Sequence, residues 1–337
     1  MSGRILCAVL AVFLLWSPMI ICSQGVAGRR LLLVANKIDR TLSMIDPESG
    51  QQLAVVAVGG ITGHEVAASP DGQIAWVPIY GNSGVGVPGT DGQTISVIDL
   101  KTHAQIASVD LGQPSRPHSA VFNPTDGKLY VTAELTRSIK VIDPARREVV
   151  DSIPTGAPES HMLAISSDGQ HGYTANVGQG TVSAINLRQK KVLTVIPVSK
   201  SVQRIAITPD GRWVFTADQV APNLAVIDTQ SNTVKRRIQL PVLGFGLATT
   251  HDGRRLLVTH PSSDSVSVVD LKTMTVEKTI PVPAAPQEIL VRPDNRVAYV
   301  SCDQSKQIVA IDLGLLKIDR TIRAGAGADG LAWAVQR

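Results

Sequence analysis

Gln287-Glu288-Ile289-Leu290-Val291, the turn Arg292-Pro293-Asp294-Asn295, Arg296-Val297-Ala298-Tyr299-Val300-Ser301, Gln307-Ile308-Val309-Ala310-Ile311-Asp312 and Lys317-Ile318-Asp319-Arg320-Thr321-Ile322 follow one another with only short polar connections. Each run is short, rich in Val and Ile and closed by Pro, Asp, Asn or Ser. That is the pattern of a strand, and it leaves no room for a helix of about ten residues. The stretch therefore encodes four consecutive strands.

Its last mark, Ile311-Asp312, comes round seven times: Ile45-Asp46, Ile98-Asp99, Ile142-Asp143, Ile185-Asn186, Ile227-Asp228, Val269-Asp270 and Ile311-Asp312. A Pro-Asp-Gly-like turn recurs in phase with it, centred on Asp71, Asp126, Asp168, Asp210, Asp252 and Asp294. From Asp126 onward the turns are spaced by a constant 42 residues, by subtraction. Periods of this size mark stacked supersecondary units. Seven four-stranded antiparallel sheets around an axis make an all-β, seven-bladed β-propeller.

The ends of the chain fit this count. Blade 1 has its second, third and fourth strands between Leu31 and Val58 but no first strand ahead of them. Asp329-Gly330-Leu331-Ala332-Trp333-Ala334-Val335 has the composition of an innermost strand and no second strand after it. It is expected to complete blade 1, closing the ring and removing open sheet edges. Inner strands covered on both faces should lose strict alternation, and Val131-Thr132-Ala133 and Ile205-Ala206-Ile207 do. Aromatic residues make up only 4% of the chain, so the core must be aliphatic.

Asp126-Gly127-Lys128-Leu129-Tyr130-Val131-Thr132-Ala133-Glu134 followed by Ile139-Lys140-Val141-Ile142-Asp143, and Tyr173-Thr174-Ala175-Asn176 with Val182-Ser183-Ala184-Ile185-Asn186, resemble the YVTN-repeat family of seven-bladed propellers, the exported YncE-like proteins. The resemblance covers residues 31 to 335. It implies the fold and an exported protein, and it does not specify an activity.

The N-terminus supports export. Arg4, a nearly apolar run from Ile5 to Trp16, and Gly25-Val26-Ala27 fit a cleaved secretory signal over residues 1–27, leaving one propeller domain over 28–337. A retained single-pass anchor is the alternative. Cys22 follows Met19-Ile20-Ile21 and not a small residue, which argues against lipidation. An extracytoplasmic location, periplasmic or secreted, follows, with no membrane segment after cleavage. Cys302 is then the one remaining cysteine, so no intrachain disulfide forms, and about 310 residues bury enough core without one. The net charge of +4 loses only Arg4, too little surplus to make nucleic acid the main partner. A monomer is expected.

Strand order assigns the loops to faces. The Asp turns fall on one face, where Gly supplies positive φ and Asp caps its own turn, a structural role. The starts of the innermost strands fall on the other, and aligning them gives His64, His118, His161, Gln203, Phe245, Gln287 and Asp329. Three imidazoles from consecutive blades at a channel mouth could hold zinc or copper with a position open for water, and Asp329 could be a fourth ligand or orient an imidazole. Alternatively each His satisfies backbone groups where one blade passes into the next. Arg204 and Glu288, one place further along, are candidates to position a polar or anionic ligand.

A second ring, at the ends of the second strands, reads Asn36, Ile79, Glu134, Asn176, Asp218, His260 and Cys302. It is expected to be a wet rim, with His260 and Cys302 either a soft metal pair or, for the thiol, inert and buried. Blade 2 carries a Gly-rich insertion over Tyr80–Gln93 on the same face, read as a binding loop or lid in which Tyr80, Asn82 and Ser83 face a ligand, or else as neutral surface.

Two motifs fail on context. Gly84-Val85-Gly86-Val87-Pro88-Gly89 has dinucleotide-fingerprint spacing but joins two strands and opens no helix. His64-Glu65 begins a zinc-protease motif but has Ala68 where the second His belongs. Neither a P-loop nor a serine-hydrolase elbow occurs. Two kinds of function remain: a binding module whose channel mouth takes a small ligand, a polymer or an envelope protein, or a metal-dependent enzyme (a lyase, a lactonase-like hydrolase or an oxidoreductase) or metal or cofactor carrier using the His64, His118 and His161 cluster.

Overall fold

The turn chemistry builds the ring. In the computed structural model, which describes residues 28–85 and 87–336, every Asp of the first turn series accepts the backbone N–H two residues on, as Asp126 does from Lys128 at 2.9 Å and Asp210 from Arg212 at 3.0 Å. In the second series, Asp143 accepts the N–H groups of Ala145 and Arg146, and Asp270 those of Lys272 and Thr273. The left-handed position four residues after each of these marks is Gly50 in blade 1 but a residue with a side chain elsewhere, such as His103, Arg147 and Leu316. The Asp carboxylate caps a turn that the backbone alone would disfavour.

These turns connect seven four-stranded antiparallel sheets. Blade 1 consists of Arg29–Asn36, Thr41–Ile45 and Gln52–Ala57, with Ala328–Gln336 as its innermost strand. There Leu32 lies opposite Trp333, Leu33 opposite Ala332 and Val34 opposite Leu331, so the tail closes the ring as the sequence predicts. The expected leader over residues 1–27 lies outside the described residues.

The core is divided among the blade interfaces. Seven apolar clusters each join two neighbouring blades: Leu33 and Met44 of blade 1 meet Val77 and Ile98 of blade 2, and Leu32 and Ile45 meet Tyr299 and Ile308 of blade 7 across the closure. Second strands such as Leu129–Ala133 are buried along their whole length. Outermost strands such as Thr275–Pro281 are mostly exposed. No helix among the described residues is long and apolar enough to cross a membrane.

The innermost strands are interrupted where the site forms. Strand registers shift between Pro117 and Ala120, Ser160 and Met162, Val202 and Ile205, and Pro286 and Ile289. Such bulges unpair backbone groups and re-aim side chains. The Thr of the repeat repairs them: Thr132, Thr216 and Thr259 donate to the carbonyls of His161, Arg204 and Gln287 at 2.7, 2.7 and 2.8 Å. In blades 2 and 6 the innermost strand shrinks to Ala67–Ala68 and Leu247–Thr249, and His64 and Phe245 precede it in irregular chain.

Candidate functional site at the hub

The bulged starts of the innermost strands deliver two tiers of side chains to the axis. The first tier, His64, His118, His161, Gln203, Phe245, Gln287 and Asp329, lines one cavity of about 260 Å³. Lys37, Tyr80, Ser83, Gly84, Val85, Val177 and Arg204 complete the lining.

The imidazoles pack against one another. His118 and His161 lie 3.6 Å apart between ring centroids, and His64 and His118 5.4 Å apart and edge-on. Tyr80 packs against His64 and His118 at 4.9 and 5.3 Å. His161 is engaged at both nitrogens, Nδ1 with the Glu134 carboxylate and Nε2 with the Gln203 amide at 3.1 Å. Glu134 also accepts the Tyr80 hydroxyl proton at 2.9 Å. His118 is buried and its Nδ1 has no partner. Burial drives the His64 pKa down to about 4, against the pull of Asp329, and holds His118 well below the usual histidine range, so both are neutral near pH 7. Burial and the Glu134 charge push the Tyr80 hydroxyl pKa up, keeping it protonated.

Arg204, from blade 5, forms the second tier by reaching across the axis. Its Nη1 donates to Glu65 of blade 2 at 2.6 Å and Glu288 of blade 7 at 2.9 Å, and its Nη2 stands 3.5 Å from Asp329 of blade 1. The guanidinium carbon lies over the Phe245 ring of blade 6 at 4.8 Å. Space for this floor comes from Gly330, where any side chain would strike Glu65 and the His64 carbonyl. Burial raises the pKa values of Glu65 and Glu288 against the opposing Arg204 charge, that of Glu65 to about 8. At the rim, Lys37 bridges Asp303 at 2.9 Å and Asp329 at 3.4 Å. Burial lowers its pKa, but the two carboxylates outweigh that and it stays charged.

The blade 2 insertion forms one wall. Arg116 donates from Nε to Asp91 at 2.6 Å and from Nη1 to the Gly84 carbonyl at 2.9 Å, and Ser83 bonds Asp91. Gly84 and Val87 exchange backbone hydrogen bonds at 3.0 Å. Tyr80 and Ser83 face the cavity. Asn82 does not: it is exposed and accepts the Thr90 N–H.

The cavity thus gathers His64, His118, His161, Asp329, Arg204, Tyr80 and Ser83, with Glu288 beneath as a partner of Arg204. Among the described residues no three His, Cys, Asp or Glu side chains form a set able to hold a metal ion. Sequence reasoning missed the contributions of Glu65, Lys37 and Glu134. For Glu65 a signal existed, since it occupies the same second-tier position as Arg204 and Glu288.

The expectation of a wet rim is overturned, because all seven second-ring residues are buried. Their partners lie mostly within their own blade: Asn36 donates to Thr41 and Ser43, and Asn176 to Thr181 and Ser183. His260 is held by the Leu243 carbonyl and Ser267. Burial pushes the Cys302 thiol pKa up to about 12, as for an inert thiol. Glu134 stands where blades 1 and 4 carry Asn and turns this structural position toward the hub.

Ring and cavity define a seven-bladed propeller with an open, polar-lined cavity at one mouth of its channel. The family described as Lactonase, 7-bladed beta-propeller matches residues 59–242, more than half of the chain, and the chain belongs to it. No curated protein matches the sequence. Among solved structures the chain is similar to one from Kuenenia stuttgartiensis hydrazine synthase, with TM-score 0.73 and 17% identity over 88% of this chain and 99% of that one. It is also similar to a functionally unknown protein from Desulfotomaculum acetoxidans, with TM-score 0.75 and 15% identity over 91% and 99%. At such identities the likeness is one of fold.

Proposed function

We propose that the protein is an exported propeller of the YVTN-like kind whose channel mouth binds a small polar ligand. The observation that carries this is the convergence of seven innermost-strand starts on one cavity of about 260 Å³ holding buried polar atoms without partners, His118 Nδ1 and Asp329 Oδ1. An unpaired buried polar atom costs about 1–3 kcal/mol, and a ligand that pairs it recovers this. Gly84→Trp provides the test, because a β-carbon there would come no closer than 3.6 Å to Val87 and the larger side chain would fill the mouth. Polar fragments should give saturation-transfer NMR signals with the wild type and lose them with the variant at unchanged melting temperature. Equal binding to both proteins rejects the channel mouth.

A second reading, hydrolysis of a cyclic ester, is favoured by the Glu134–His161 pair together with the family's description. Glu134 orients the His161 ring, and Nε2, once released by Gln203, takes a proton from water. The resulting hydroxide adds to the ester carbonyl, the ring C–O bond breaks, and the proton passes to the departing alkoxide to give a hydroxy acid. A pH-stat trace with simple lactones tests this: acid release by the wild type and none by His161→Gln supports it, and equal rates refute it. The zinc or copper expectation is tested separately, by metal content after chelator-free purification of the wild type and of the triple alanine variant at His64, His118 and His161.

A further inference from the structure

We propose that the ligand of the channel mouth is a small organic ammonium, held by Asp329. The inference rests on the small-ligand reading above and names its chemical class. Three carboxylates, Glu288, Asp329 and Asp303, face two basic groups, Arg204 and Lys37, while burial pushes Glu65 up to about 8 and leaves it largely protonated near pH 7. Neither base is free for an anion, since Arg204 is paired at 2.6 and 2.9 Å and Lys37 at 2.9 Å.

Asp329 is the carboxylate left over. It is only 2% exposed, yet the cations Lys37 and Arg204 stand at 3.4 and 3.5 Å and the neutral His64 ring at 3.6 Å. Charge-assisted hydrogen bonds are about 2.7–2.9 Å long, so none of these contacts is a full one. Asp329 Oδ1 has no hydrogen-bond partner. His118 Nδ1, on the same cavity, is a second buried atom without one, and as a neutral imidazole nitrogen it can accept from a donor. The third such atom at the cavity, Arg204 Nε, belongs to a guanidinium that lies over the Phe245 ring, which faces part of its charge. What the chamber lacks is a donor, and one bearing positive charge corrects the acidic surplus. The Tyr80 and His64 rings flank the chamber and suit the methylene groups of such a ligand.

Charge-matched four-carbon probes test the class: aminobutanol, butanediol and hydroxybutyrate, each terminally substituted, measured by ligand-observed NMR at millimolar concentration. Aminobutanol should bind the wild type, and Asp329→Asn should weaken it by about tenfold or more, as expected when one partner of a buried charge pair is neutralised. Lys37→Met removes a competing positive charge and should strengthen aminobutanol. Preference for butanediol or hydroxybutyrate, or weaker aminobutanol binding in Lys37→Met, overturns the ammonium proposal and leaves the small-ligand reading standing. No signal from any probe overturns both. Asp329→Asn also reports without a ligand: retained or raised thermal stability fits an under-satisfied carboxylate, and a large loss marks Asp329 as structural and refutes the proposal.

Discussion

Arg204→Met retains the apolar stem of the side chain and removes the one guanidinium facing Glu65, Glu288 and Asp329 at the hub. Deleting one partner of a buried ion pair costs about 3–5 kcal/mol, because the charge left behind is neither solvated nor paired. With an unfolding entropy of about 2.1 cal/mol/K per residue over about 310 residues, each kcal/mol lowers the melting temperature by roughly 1.5 °C, so the variant should lose roughly 5–8 °C near pH 7.5. The loss has a defined sign in pH. Burial already pushes Glu65 up to about 8 in the folded protein, above its ordinary value of 4.5, and without the opposing guanidinium it rises further. A carboxyl whose folded pKa is raised contributes its stability below the unfolded pKa and loses it as pH rises through the folded one. Below about pH 8 Glu65 is protonated in both folded proteins, so its part in the deficit of Arg204→Met should stay level from about pH 4.5 to 8 and widen from there to about pH 10, where only the wild type releases the proton. Circular-dichroism melts of both proteins across this range provide the assay. Adding Glu65→Gln and Glu288→Gln to the variant should recover most of the loss at neutral pH. Equal melting temperatures near pH 7.5, or a deficit that does not widen above about pH 8, would refute the view that Arg204 neutralises a buried acidic floor.

Three further expectations concern other parts of the molecule. Leu331→Ala, in the closing strand between blades 7 and 1, should cost about 2–5 kcal/mol in denaturant unfolding, as buried Leu truncations do; a loss below about 1 kcal/mol counts against a packed closure. Cys302 should resist a thiol reagent in the native state and react on unfolding, because burial holds its pKa up at about 12; prompt native labelling argues otherwise. His64, lowered to about 4, contributes stability that is present above the unfolded histidine value and lost as pH falls through the folded one, so His64→Gln should flatten the acid limb of the stability curve; an unchanged limb would show that His64 is not held neutral.

How much of this was legible in the sequence depends on how local the cause is. The turn Asp residues act on N–H groups two or three positions away, so their period reveals the blades, and counting from them finds the first tier from His64 to Asp329. Arg204 and Glu288 were legible as positions one step further on. Their convergence with Glu65 was not, because these contacts cross the axis and register carries no information about distance across a ring. The wet rim failed for a related reason. Asn36 and Asn176 meet Ser and Thr side chains of the next strand, which a repeat pattern presents as separate columns. Glu134 interrupts that column, but its engagement with Tyr80 and His161 depends on neighbouring blades.

The junction of the two ends also imposes an order on biogenesis. A nascent chain emerging N-terminus first must keep the inner edge of Leu32, Leu33 and Val34 unmated until Leu331, Ala332 and Trp333 have left the ribosome. Until then blade 1 presents a bare backbone edge to other strands, so chaperone contact during synthesis should concentrate there. A stop codon only a few residues before Ala328 would leave every other blade encoded and still yield an aggregation-prone product.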